Sequence, residues 1–125
     1  MIIGIGTDIV EVQRLQQAVE RFGHRFIRRV FAENEITYSE GKVNRFQHLA
    51  VRFGAKEALL KAMGTGLRNG ILWHEIEVRN DELGKPKIFC LGKCLEKLNE
   101  LGVKHIHVSL THTEKYGIAN VILEK

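Results

Sequence analysis

The chain has 125 residues, 44% of them hydrophobic and 27% charged, with a single proline and a formal net charge of +4. That length buries roughly two thirds of the surface an unfolded chain exposes, and the composition excludes a disordered tail, a collagen-like rod and a mini-scaffold that needs staples. No uncharged apolar stretch approaches a membrane span and no basic region precedes the apolar start MIIGIGTDIV, so the expectation is one cytoplasmic domain over residues 1–125, without a signal peptide or a membrane partner.

Residues Ile2 to Val10 alternate as a strand, with Gly4, Gly6 and Asp8 on one side and Ile3, Ile5, Thr7 and Ile9 on the other. A helical stretch is expected from about Glu11 to Val30, interrupted or kinked near Gly23, and a short acidic helix near Glu33 to Glu40 follows. The longest periodic segment runs from about Val43 to Met63 and is closed by the glycines of MGTGLRNG, a helix stop. Short strands near Glu75 to Arg79 and Lys87 to Cys90 are joined by a turn through DELGKP. A small helix covers Lys93 to Leu101, and a final strand pair runs His105 to Thr111 and Tyr116 to Glu124. This order indicates an α+β fold, mainly antiparallel sheet packed against the long helix. Cys90 and Cys94 are too close and too alone for a disulfide framework or a zinc site, and read as two half-buried small hydrophobes.

Candidate chemistry starts in the long helix, where Phe46, Leu49, Phe53 and Leu60 share one apolar stripe with Glu57 in its middle. A carboxylate there is expected to be buried against the sheet, and must then be neutralised, paired or bound to a cation. One reading is an ordinary i,i+4 pair with Lys61. The other is a metal site completed by Asp8, on the strand side bared by Gly4 and Gly6, where another element can approach closely. Two carboxylates with room for waters and substrate oxygens are how proteins usually hold Mg²⁺. Asp8 has its own plainer reading, as N-cap of the helix that starts near Glu11.

The strand His105 to Thr111 puts Ile106, Val108 and Leu110 on a core face and His105, His107, Ser109 and Thr111 on a face of hydrogen-bonding groups, suited to phosphate or ribose oxygens or simply to solvent. MGTGLRNG matches neither the P-loop nor the dinucleotide fingerprint and reads first as a helix cap and loop. On the first helix Arg14, Arg21, Arg25 and Arg28 fall at offsets of seven, four and three with Phe22 and Phe26 beside them. In a continuous helix they form one basic stripe, either a solvated face or a docking face for an acidic amphipathic helix. A break at Gly23 would split it.

Taken together, GIGTDIVEV, RFGAKEALLKAMGTG, WHEIEV, GKP and HVSLTHTEKYGIANVILE, in this order and spacing, resemble the small single-domain phosphopantetheinyl transferases of the holo-[acyl-carrier-protein] synthase type, over nearly the whole chain. The resemblance implies transfer of 4′-phosphopantetheine from coenzyme A to a serine of an apo acyl carrier protein, releasing adenosine 3′,5′-bisphosphate, as a step in fatty acid and lipid metabolism. It implies Mg²⁺ on Asp8 and Glu57, a catalytic Lys61 near the transferred phosphate, and His107 at the nucleotide end of coenzyme A, with Arg52 and Ser109 as further cofactor contacts. His105 does not match that position. It also implies a homotrimer with active sites between subunits, and the stripe read from spacing, Arg14, Arg21, Phe22, Arg25 and Arg28, is then the expected docking face for the acidic carrier protein. Two rival classes stand beside it: a small basic nucleic-acid-binding module, for which the 7% aromatic content and motif set give no support, and a non-catalytic domain that binds the carrier protein through the arginine face.

Overall fold

The computed structural model describes every residue except Asn69, whose place in the MGTGLRNG segment therefore lies outside the described residues. The elements in chain order are β1 (Ile2–Glu11), α1 (Val12–Phe22), α2 (His24–Val30), α3 (Glu33–Ser39), α4 (Arg45–Met63), a 3-10 turn (Trp73–Glu75), β2 (Ile76–Asn80), β3 (Pro86–Cys90), α5 (Gly92–Glu100), β4 (His105–His112) and β5 (Tyr116–Glu124). The fold is α+β, as the element order indicated. Its antiparallel strands form two sheets, one of three strands in the order β1-β5-β4 and one pairing β2 with β3.

Alternation in β1 and β5 decides which face of the larger sheet meets α4. Gly4, Gly6 and Asp8 lie opposite Leu123, Val121 and Ala119, and these three β5 residues are fully buried. The glycines are needed because α4 comes down directly on the strand: a Cβ on Gly6 would collide with the carbonyl of Ala58, and one on Gly4 with that of Ala62. One departure from strict alternation occurs at the start of β1, where an irregular register between Ile2 and Gly4 turns Ile3 towards the core instead of the outer face expected for it.

Helix α4 is buried on most of its circumference. On one side Ala55, Ala58, Leu59 and Met63 pack with β2, α5 and β5. On the other, Leu49 and Ala50 pack under Val12, Leu15 and Val19 of α1 and Ile27 and Val30 of α2. The helix ends at Gly64, whose φ of 77° is the left-handed conformation that glycine adopts freely and whose N–H caps the Leu60 and Lys61 carbonyls. Between α1 and α2 the chain breaks at Gly23, with φ 64° and ψ −147°, so the basic stripe is divided in two. Cys90 is half-buried and Cys94 buried, and both are free thiols, as expected.

The acidic group expected in the middle of α4 is not the buried charge of this helix. Glu57 is only half-buried, whereas its neighbour Lys56 is fully enclosed together with Glu35 of α3, at 0% side-chain exposure each and 2.6 Å apart. Lys56 Nζ also donates to the carbonyls of Trp73 and Ile76. Glu35 accepts the backbone N–H groups of Ala32 and Val78. The pair thus joins α3, α4 and the start of β2, and the surrounding bonds answer the desolvation that lowers the Lys56 pKa.

Removing one member leaves an uncompensated charge. Glu35→Ala is expected to lower stability by about 3–5 kcal/mol in urea unfolding, and a combined Glu35→Leu/Lys56→Met replacement to recover most of that loss.

Candidate active site

Asp8 and Glu57 line one cleft of about 370 Å³, together with Arg14 and Leu15 of α1, Phe26 of α2 and Phe53 of α4. Strand β1 delivers Asp8 to the α4 side of the sheet. Its Oδ2 rests beside Gly54, 3.8 Å from where a Cβ would stand, one turn before Glu57. Asp8 does not cap α1: the N-cap is Glu11, and no side chain bonds there.

Lys61 does not pair with Glu57 either. Its Nζ crosses to β1, 2.9 Å from Asp8 Oδ1 and 3.0 Å from the Thr7 carbonyl. Glu57 is left with a pKa raised first by burial and second by the negative charge of Asp8, against a smaller lowering by Lys61. Two hard-oxygen carboxylates that repel one another across a cleft suit a divalent cation of the Mg²⁺ type. Glu11 also lines the cleft, but among the described residues no third acidic, histidine or cysteine side chain is grouped with the two closely enough to share an ion. The protein would therefore provide two ligands and leave the other positions to water and substrate oxygens.

The remaining candidates fall in three places. Arg14 faces the same cleft. Arg21 ends α1 with its guanidinium 5.2 Å above the ring of exposed Phe22. Beyond the Gly23 break, Arg25 and Arg28 line a different groove, between α2 and the Trp73–Glu75 turn. His107 and Ser109 stand on the exposed outer face of the larger sheet, as β4 alternation required, and His107 Nε2 lies 3.0 Å from Glu124 Oε1. That face points away from α4, so a single chain does not bring them into the cleft with Asp8 and Glu57. Arg52 is buried at 2% exposure: it donates to the His48 carbonyl and to Asn80 Oδ1 and lies 4.4 Å over the Tyr38 ring. In this conformation it bridges α4 to β2, and its buried Nε–H is left without a partner.

Two cationic surfaces escaped the sequence reading. His107 shares a groove with Lys85, Lys87 and Lys104, of which Lys85 belongs to the GKP turn. At the other end of β4, the His112 ring lies 6.1 Å from that of His48, tilted by 60°, and Lys42 lies 4.6 Å over Tyr38. The pKa of His48 is lowered by burial and then by Arg52, Lys42 and His112. The available signal was the one-turn spacing of His48 and Arg52 on α4, and β4 continuing one residue past Thr111.

The sequence and the fold are shared with known proteins. Residues 4–121 match the model of the 4′-phosphopantetheinyl transferase superfamily. The holo-[acyl-carrier-protein] synthase of Solibacter usitatus is 48% identical over 124 residues, 99% of each chain. The crystal structure of the Neisseria meningitidis holo-[acyl-carrier-protein] synthase superposes with a TM-score of 0.89 at 38% identity over the whole of both chains. The Bacillus anthracis synthase, solved in complex with CoA (3′,5′-ADP), superposes at 0.81 with 34% identity, over 98% of this chain and 96% of that one. With fold and sequence matching over nearly the whole chain, it belongs to the 4′-phosphopantetheinyl transferase superfamily, in its holo-[acyl-carrier-protein] synthase branch.

Proposed function

We propose that the chain transfers 4′-phosphopantetheine from coenzyme A to a serine hydroxyl of apo acyl carrier protein and releases adenosine 3′,5′-bisphosphate. The observation that carries this is the cleft itself: two mutually repelling carboxylates, Asp8 and Glu57, beside the Lys61 ammonium. Asp8 and Glu57 would hold Mg²⁺, which when bound supplies Lewis-acid polarisation of a pyrophosphate and neutralises charge on the leaving nucleotide. Lys61, held in place by Asp8 and the Thr7 carbonyl, sets a second positive charge at the same spot. The Glu57 carboxylate, its pKa raised by burial and by the charge of Asp8, is placed to accept the hydroxyl proton of the attacking serine. Arg14 at the cleft and Arg21 further along α1 orient an acidic carrier protein towards it.

Three finer points belong to the same reading. The outer sheet face exposes Ile5 and Ile9, at 64% and 62%, beside His107 and Ser109. We take it to be covered by other copies in a homotrimer, so that each cleft is completed by a neighbour. The nucleotide phosphates have two cationic surfaces to choose from, and the His48–His112 cluster is the stronger. The groove at His107 is offset by Glu124, whereas the charged neighbours that act on His48 are all cations. The setting is cytoplasmic fatty acid and lipid metabolism. No described helix is long and apolar enough to cross a membrane, and the two thiols are free.

Incubation with coenzyme A, Mg²⁺ and apo carrier protein is expected to add the mass of one phosphopantetheine to the carrier; carrier binding with no mass change would contradict the proposal. Glu57→Gln should lower this transfer at least about 1000-fold, the rate equivalent of several kcal/mol. The same variant has a signature in stability. Because the folded-state pKa of Glu57 is raised, the wild type loses stability as pH rises through it, so metal-free Glu57→Gln should melt higher than wild type at pH 8 and level with it at pH 4.

Arg21→Glu should raise the KM for carrier protein far more than that for coenzyme A, with the difference shrinking as salt is added. In calorimetry, His112→Ala is expected to weaken coenzyme A about 10-fold or more, the loss typical of a hydrogen bond to a charged group, and His107→Ala to weaken it less.

A further inference from the structure

We propose that the enclosed Lys56–Glu35 pair is a positioning device for the reaction: it fixes the rotation of α4 about its own axis and so holds Glu57 towards Asp8 at a spacing that one divalent cation can bridge. This rests on the transfer reading above. Lys56 and Glu57 are adjacent on the helix and therefore point about 100° apart. Lys56 is enclosed against Glu35, while Glu57 lines the cleft with Asp8. Whatever sets the direction of the first side chain sets that of the second.

The other contacts of α4 with its surroundings do not fix rotation in this way. Towards β1 the helix presents the Ala58 and Ala62 carbonyls to Gly4 and Gly6, a contact that limits how near the helix comes but places no side chain in the way of turning. The packing of Leu49, Ala50, Ala55, Leu59 and Met63 is apolar and non-directional. Lys56 is different. Its ammonium carries three donors, and they are given to Glu35 Oε1 and to the carbonyls of Trp73 and Ile76. Glu35 is itself fixed by the N–H groups of Ala32 and Val78. One turn earlier Arg52 reaches Asn80, so α4 is tied to both ends of β2.

A side-chain head lies about 5–6 Å from the helix axis, so a turn of about 10° carries the Glu57 carboxylate by about 1 Å. Misplacement on that scale lowers a rate about 100-fold, and groups that orient metal ligands change metal affinity about 10- to 100-fold. Two carboxylates that repel one another need such an anchor against turning apart. Lys56 also reaches the cleft by a second route. The Trp73 carbonyl it holds belongs to the residue whose ring packs at 5.2 Å on Phe53, a wall of the cleft.

The test measures Mn²⁺ binding to the metal-free chain by electron paramagnetic resonance, and kcat and KM with coenzyme A, Mg²⁺ and apo carrier protein. Glu35→Leu/Lys56→Met removes the directional bonds and keeps the space filled. It is expected to melt close to wild type, yet to bind Mn²⁺ about 10-fold more weakly and to lower kcat at least about 10-fold, with the carrier-protein KM unchanged. Should it fail to fold by circular dichroism, Glu35→Gln/Lys56→Leu, which keeps an acceptor for the Ala32 and Val78 N–H groups, is held to the same readouts. A folded variant that binds Mn²⁺ and turns over as wild type does overturns the proposal. So does a loss of kcat at unchanged Mn²⁺ affinity with a raised carrier-protein KM, which would mark a general loosening of the fold. Failure of wild type itself to transfer phosphopantetheine removes the underlying reading, and this proposal with it.

Discussion

The site depends on how closely one helix can lie on one strand. Backbone meets backbone where α4 crosses β1, because Gly4 and Gly6 put nothing between the strand and the Ala58 and Ala62 carbonyls. Asp8 is the next residue on that bared side, and Glu57 precedes Ala58 on the helix. The spacing that satisfies packing therefore also brings two carboxylates to one cleft. The protein accepts their repulsion, visible in the raised pKa of Glu57, and counters it in part with Lys61, which is tied to Asp8 and not to its own helical neighbour. A divalent cation would complete what Lys61 begins.

Rigidity for this approach comes from elsewhere in α4. The enclosed Lys56–Glu35 pair and the guanidinium of Arg52 fix the helix to α3 and β2 from the side opposite the cleft. Neighbouring residues of one helix thus divide the labour: Lys56 faces inward and anchors, while Glu57 faces the cleft. Fully enclosed ion pairs contribute little net stability over well-packed apolar groups, but they punish misplacement of either partner. That property suits a helix whose height above β1 sets the distance between the Asp8 and Glu57 carboxylates.

Much of this was legible in the residues, for identifiable reasons. Glycines alternating with an acid in a strand signal close approach by another element, and the strand period put His107 and Ser109 on the outer face. What misled was non-local. Placing Glu57 in a buried stripe assumed that α4 buries one face, whereas this helix is packed on most of its circumference, so the wheel could not rank Glu57 against Lys56. The partner that makes Lys56 tolerable, Glu35, lies on another helix. Non-local partners also surround Arg52, whose motif position suggests a ligand contact: in this conformation Tyr38 and Asn80 enclose it. The Gly23 break was visible only as an alternative, since the arginine spacing is the same whether or not the helix continues. Local register hid one more detail, the irregularity that turns Ile3 inward.

An outer sheet face that mixes exposed Ile5 and Ile9 with His107 and Ser109, a cleft on the opposite side of that sheet and cationic surfaces remote from the cleft are the parts that the proposed homotrimer would bring together. The claim on which this account turns is that Asp8 and Glu57 share one cation. Anomalous scattering from crystals soaked in Mn²⁺, a stand-in for Mg²⁺, measures it directly: the account predicts a peak within bonding distance of both carboxylates, and a map with the metal elsewhere, or with the two side chains turned to different surfaces, would contradict it.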